Sequence, residues 1–131
     1  MDFSKIVEQL VTTNQANDLL VELENLNESV YLTGNKFSNN LKKIDVRYYN
    51  TLLGLLEKND KKEVLKKLIE EIKNIPVVNI NLSFYPSFQL VEKMGGWLEE
   101  SLGKKVLASI KNKQELFTKI EIEYNGSYIK C

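Results

Sequence analysis

Histidine is absent from these 131 residues. With it go the commonest transition-metal ligand, the usual general base at neutral pH and every Ser-His or Cys-His nucleophile pair. Cysteine occurs once, as Cys131, so no disulfide can form within the chain and a reducing, cytoplasmic compartment is expected. Long apolar runs are missing too: none approaches the ~20 residues that span a bilayer. The opening Met1-Asp2-Phe3-Ser4-Lys5 also lacks the basic and then apolar pattern of an export signal. Neither direct membrane insertion nor export is therefore expected. Eighteen Lys and Arg balance eighteen Asp and Glu, so no excess of either sign points to a nucleic acid or to an acidic substrate. These absences favour a protein that is not an enzyme, with no metal and no cofactor.

What is present suits a binding protein. The chain is 43% hydrophobic and 27% charged, enough for one ordinary core or for two small ones. Charge is segregated along it. Between Met1 and Glu28 six acids face Lys5 alone, a net of −5, whereas Lys36 to Lys73 carries ten bases against six acids, a net of +4.

Up to Ile75 the apolar residues recur at three- and four-residue steps, the period of helices with one buried face. Ile6 and Leu10 mark a short first helix, with Thr12-Thr13-Asn14 as a break or cap. A second runs from about Gln15 through Leu32 on Leu19, Leu23, Leu26 and Val30, and Gly34-Asn35 stops it. A third spans Ser38, as N-cap, to Lys58 on Leu41, Ile44, Tyr48, Leu52 and Leu55. A fourth follows Asn59-Asp60 on Val64, Leu65, Leu68, Ile69 and Ile72, and ends before Pro76. There the period changes. Val78, Ile80, Leu82 and Phe84 alternate with Asn79, Asn81 and Ser83, as in a strand buried on one side. Pro86 opens a helix with Val91, Met94, Leu98 and Leu102 inward, and Gly103 closes it. A second strand carries Val106, Ala108 and Ile110. After a polar connector, Asn112 to Glu115, a third carries Ile120, Ile122 and Tyr124. Asn125-Gly126 is the pair favoured in a type I′ hairpin, leading to a return strand from Ser127 to Lys130. The reading is an α+β fold: a helical N-terminal domain of about four helices over residues 1–75, then a β-α-β-β domain over 76–131.

No constellation of catalytic type accompanies this pattern. Glu70-Glu71 and Glu99-Glu100 are adjacent on helices and point apart, which suits solvated faces. Gly95-Gly96 lies inside a helix, not after a strand, so it matches no phosphate-cradling loop and suggests close approach of the helix to a strand. Lys61-Lys62 and Lys66-Lys67 form one basic cluster, and Lys104, Lys105, Lys111 and Lys113 another. An RNA-binding sheet needs exposed aromatics beside such bases, and Phe84, Tyr124 and Tyr128 sit where a core also wants them. Interface anchors are enriched in Trp and Tyr. The partner-binding candidates are therefore Phe88, Trp97, Tyr124 and Tyr128, with core packing as the first expectation for Trp97.

Four pieces in order carry a family likeness: Val77-Val78-Asn79-Ile80-Asn81-Leu82-Ser83-Phe84, Pro86 to Met94, Leu102-Gly103-Lys104-Lys105-Val106, and Ile120-Glu121-Ile122-Glu123-Tyr124-Asn125-Gly126. From Val77 to Tyr128 the chain resembles the C-terminal part of the delta subunit of F-type ATP synthase, the family of the oligomycin-sensitivity-conferring protein. Thr118-Lys119 stands where that family usually has a small-residue pair. The resemblance implies a peripheral-stalk protein serving ATP synthesis and proton transport. Its helical domain would bind the alpha subunits of the catalytic head, and its C-terminal domain the b subunit. It would lie in the cytoplasm, at the inner face of the cell membrane through the complex. The alternatives are a stand-alone adaptor or RNA-binding β-α-β-β module, and a small histidine-free enzyme for which no residues speak.

Overall fold

In the computed structural model, residues 1–32, 34–113 and 120–130 are described; parts of three features read from sequence, Gln114-Glu115 of the connector, Thr118-Lys119 and Cys131, lie outside them. Among the described residues there are six helices and four strands, with the strands in the C-terminal part, an α+β fold. Two compact units divide the chain: Met1–Leu10 with Gln15–Asn74, and Val11–Asn14 with the residues from Ile75 onward.

The helical unit holds α1 (Ser4–Val7), α2 (Thr13–Ser29, whose first residues lie in the other unit), α3 (Lys36–Lys42), α4 (Val46–Lys58) and α5 (Lys61–Lys73). Leu19, Leu23 and Leu26 on α2, Tyr48, Leu52 and Leu56 on α4, and Val64, Leu65, Leu68, Ile69 and Ile72 on α5 are buried. Their spacing is the helical period, and each full-length aliphatic side chain taken from water contributes about 1.5–3 kcal/mol. Asp60 caps α5 as the pattern requires, accepting from the Glu63 N–H at 3.1 Å.

Two helix boundaries differ from the periodicity. The single helix predicted from Ser38 to Lys58 is broken at Asp45, so five helices precede the first strand where about four are predicted. Asp45 takes an extended ψ of 136°, accepts from the Arg47 N–H at 2.9 Å and caps α4. A short carboxylate offers the backbone a partner that competes with helix continuation, and apolar spacing alone is blind to it. Ser38 lies within α3 and does not cap it. Helix α2 stops at Ser29, short of Leu32, where the buried Ser29 hydroxyl donates to the Leu26 carbonyl at 2.7 Å and the next turn tightens to three-residue bonds.

The sheet unit contains β1 (Val77–Leu82), α6 (Phe88–Leu102), β2 (Leu107–Asn112), β3 (Ile120–Tyr124) and β4 (Ser127–Lys130). Its strand order is β2-β1-β3-β4, with β1 parallel to β2 and antiparallel to β3. Val78, Ile80 and Leu82 form one buried cluster with Leu98 of α6, Val106, Ala108 and Ile122, and Phe84, Met94, Leu102, Ile110, Ile120 and Tyr124 pack around it. Asn125 and Gly126 take φ of 51° and 81°, the two positive values a type I′ turn demands. Pro86 does not open α6. Ser87 is its N-cap, accepting from the Leu90 N–H at 3.2 Å, because a hydroxyl satisfies a free helix-end donor and a proline ring cannot. On the other sheet face the register sets Asn79 beside Ser109 and Glu123, and Asn81 beside Lys111 and Glu121. Asn81 is buried and donates to the Glu121 carboxylate at 3.1 Å.

Gly103 ends α6 at φ 68°, with open space where a Cβ would stand. The cost of Gly103→Ala is then backbone strain alone, about 1–2 kcal/mol. Urea unfolding followed by fluorescence of Trp97, the only tryptophan and a residue of α6, checks this.

Candidate partner-binding surfaces

The four aromatic candidates do not form one site. Phe88 and Trp97 are 56% and 50% exposed, so Trp97 is not the core residue first expected. The cluster under α6 closes on Leu98 and Met94 beside it. The two stand roughly two and a half turns apart at 3.6 residues per turn, on opposite sides of α6. Tyr124 packs against the buried cluster, with the Lys104 ammonium 5.3 Å over its ring. Tyr128 is exposed and pairs with Glu123, which sets it on the polar sheet face opposite the one α6 covers. Tyr85, just before α6, is the most exposed aromatic of the described residues, at 82%, and periodicity gave no hint of it because it falls between elements. Phe88 and Tyr85 thus share the N-terminal approach to α6, while Trp97 faces elsewhere.

The helical unit contributes a groove that sequence reading missed. It has a volume of about 350 Å³, and Asp18, Val21 and Glu22 of α2 face Asp45, Arg47 and Tyr48 at the start of α4. The groove lies beside the helix break at Asp45. The Arg47 guanidinium donates to both Asp45 oxygens, at 3.2 and 3.1 Å, and holds that carboxyl below its ordinary pKa. Glu22 is shifted the other way: burial pushes its pKa up, opposed by the Asp45 backbone N–H donating to it at 3.4 Å. Burial also raises Tyr48, whose hydroxyl is enclosed without a hydrogen-bond partner among the described residues. Val21 and Val46 beside the groove are exposed. Leu19 and Val21 set among carboxylates and the Arg47 guanidinium make a mixed surface that suits contact with a polypeptide segment. The signal in the sequence was Asp45 two residues before Arg47, an N-cap spacing hidden inside a long helical period.

Three of the four lysines of the first basic cluster are already engaged. Lys61 lies 4.7 Å over the Phe37 ring and Lys62 5.0 Å over Tyr31, while Lys67 pairs with Glu63 at 2.7 Å. Lysine stems laid on aromatic rings cover apolar surface and keep the charge in water. Among the described residues no three His, Cys, Asp or Glu side chains converge as metal ligands, and no helix is long and apolar enough to cross a membrane.

A carboxyl whose pKa is higher folded than unfolded favours the folded state when protonated. Ionised Glu22 therefore opposes folding above its folded-state pKa, and that opposition disappears as pH falls below the unfolded value. Glu22→Gln should be more stable than the parent at neutral pH, the difference shrinking to nothing on acidification through the carboxylate range. Urea titrations across that range test this, and a difference independent of pH contradicts it. Comparison of the chain with protein-family models and with curated proteins finds no match.

Proposed function

We propose that this chain is a non-catalytic peripheral-stalk subunit of the F-type ATP synthase delta kind, joining the alpha subunits of the head to the b-subunit stalk. The observation that carries the reading is that the sheet unit closes its core without Phe88 and Trp97, leaving both half exposed on α6. Large aromatics outside a completed core are the side chains that anchor protein interfaces. The residue pattern from Val77 to Tyr128 supports the family. The acid-edged groove between α2 and α4 supports a second contact, on the helical unit. A subunit of this kind resists the torque of rotation through bound area and needs no chemistry. It would sit at the inner face of the cell membrane through the complex, with no cofactor.

The RNA-binding alternative is less well supported. Phe84 and Tyr124 are partly buried against the core cluster, which leaves less of their rings free to stack on bases. The opposite face sets Glu121 and Glu123 beside Tyr128, and carboxylates repel a phosphate backbone.

Capture of partners from the native host by the tagged chain tests the proposal. Recovery of alpha and b subunits is expected, and recovery of RNA or ribosomes in their place overturns it. Phe88→Ala and Trp97→Ala should each leave stability within about 0.5 kcal/mol, as for exposed positions. Because the two stand on opposite sides of α6, one of the two substitutions should weaken b-subunit binding about tenfold or more and the other only slightly.

A further inference from the structure

Val11–Asn14 belongs to the sheet unit, although the residues on both sides of it, through Leu10 and from Gln15, belong to the helical unit. What draws it there is the outer edge of β2, an end strand of the sheet. Successive amides of a strand point to opposite sides. The Leu107 N–H points inward and donates to the Pro76 carbonyl at 2.9 Å. The Ala108 N–H points outward and donates to the Val11 carbonyl, also at 2.9 Å, and Thr12 pairs with Ala108 in parallel.

A side chain sets the register. Val11 Cγ1 lies 2.9 Å from the place a Cβ would occupy on Gly95, a buried residue of α6. No real Cβ tolerates that approach. Gly96 has open space around it, so of the two glycines in this helix only Gly95 is required by packing. A glycine inside a helix costs about 1 kcal/mol against alanine, a cost that the seat for Val11 explains. Backbone bonds to a sheet edge combined with a pocket for one side chain are the two components of strand addition.

We infer that the outer edge of β2, with the seat at Gly95, is a strand-binding site for an extended peptide segment bearing a branched aliphatic residue, and that the chain fills it with its own Val11 and Thr12, just before α2 begins at Thr13. The segment is a removable strap. It covers an edge that otherwise presents free backbone groups, and it can leave without unfolding the sheet. This goes beyond the stalk assignment and does not depend on it.

Amide hydrogen exchange by NMR on the full chain tests the inference, with Ala108 reporting the strap and Leu107 the sheet. Gly95→Ala, which drives a Cβ into Val11, should speed exchange at Ala108 about tenfold or more and leave Leu107 unchanged. Adding Val11→Ala to it, which removes the clashing methyl, should restore protection. Val11→Ala alone, which introduces no clash, should speed Ala108 to a smaller extent and serves where Gly95→Ala folds poorly. The inference fails if Ala108 is unaffected by Gly95→Ala in a folded chain, or if the double variant restores nothing. It also fails if Leu107 loses protection together with Ala108 in Val11→Ala, since the segment would then be no separable strap.

Discussion

The pairing of β1 with β2 on one side and β3 on the other is the constraint from which the sheet unit follows. Val78, Ile80 and Leu82 are fully buried on one face of β1, so this strand must be central and covered. Its parallel pairing with β2 cannot be made by a tight turn and needs a crossover, which is α6. That helix then has to start and stop within a short span, and Ser87 and Gly103 supply the two ends. The antiparallel pairing with β3 extends to β4 through the Asn125-Gly126 turn. With β1 fixed, little else about the unit is free.

Packing, more than charge, holds the helical unit. The opposed charges of its two halves do meet, Lys73 of α5 with Glu24 of α2 at 3.1 Å, but both side chains are about half exposed. Exposed pairs of this kind are worth about 0–1 kcal/mol, less than one buried leucine. The break at Asp45 matters more, because it turns the chain beside the carboxylate-edged groove between α2 and α4. Function on this account is the display of shape: aromatics beyond the core of one unit, and a groove at a helix break in the other.

Sequence alone made legible whatever depends on local periodicity or on a turn with strict backbone needs. The two-residue alternation of β1, the start of α5 at Asp60 and the hairpin at Asn125-Gly126 belong to this class. Where a side chain competes with the backbone, periodicity fails: Asp45 ends a helix that the apolar spacing carries through, and the helix expected to open at Pro86 starts only after Ser87, which caps it. The surface was less legible still. Trp97 sits among apolar residues of α6, and only the positions of Met94 and Leu98 beside it decide that it faces out. Val11 was unreadable for another reason, since its place depends on Ala108 and Gly95, far along the chain, and no local pattern encodes such a pairing. The Gly95-Gly96 pair suggests close approach to a strand, but only Gly95 is closely approached, by Val11 of this N-terminal segment, while Gly96 has open space around it.

The most direct test of the central role of β1 is Ile80→Ala, followed by urea unfolding with Trp97 fluorescence reporting the sheet unit. A fully buried isoleucine in the middle strand should cost about 2–5 kcal/mol, with α6 released in the same transition as the strands. A loss below about 1 kcal/mol, or a Trp97 signal that leaves α6 unaffected when the strands unfold, would contradict the account.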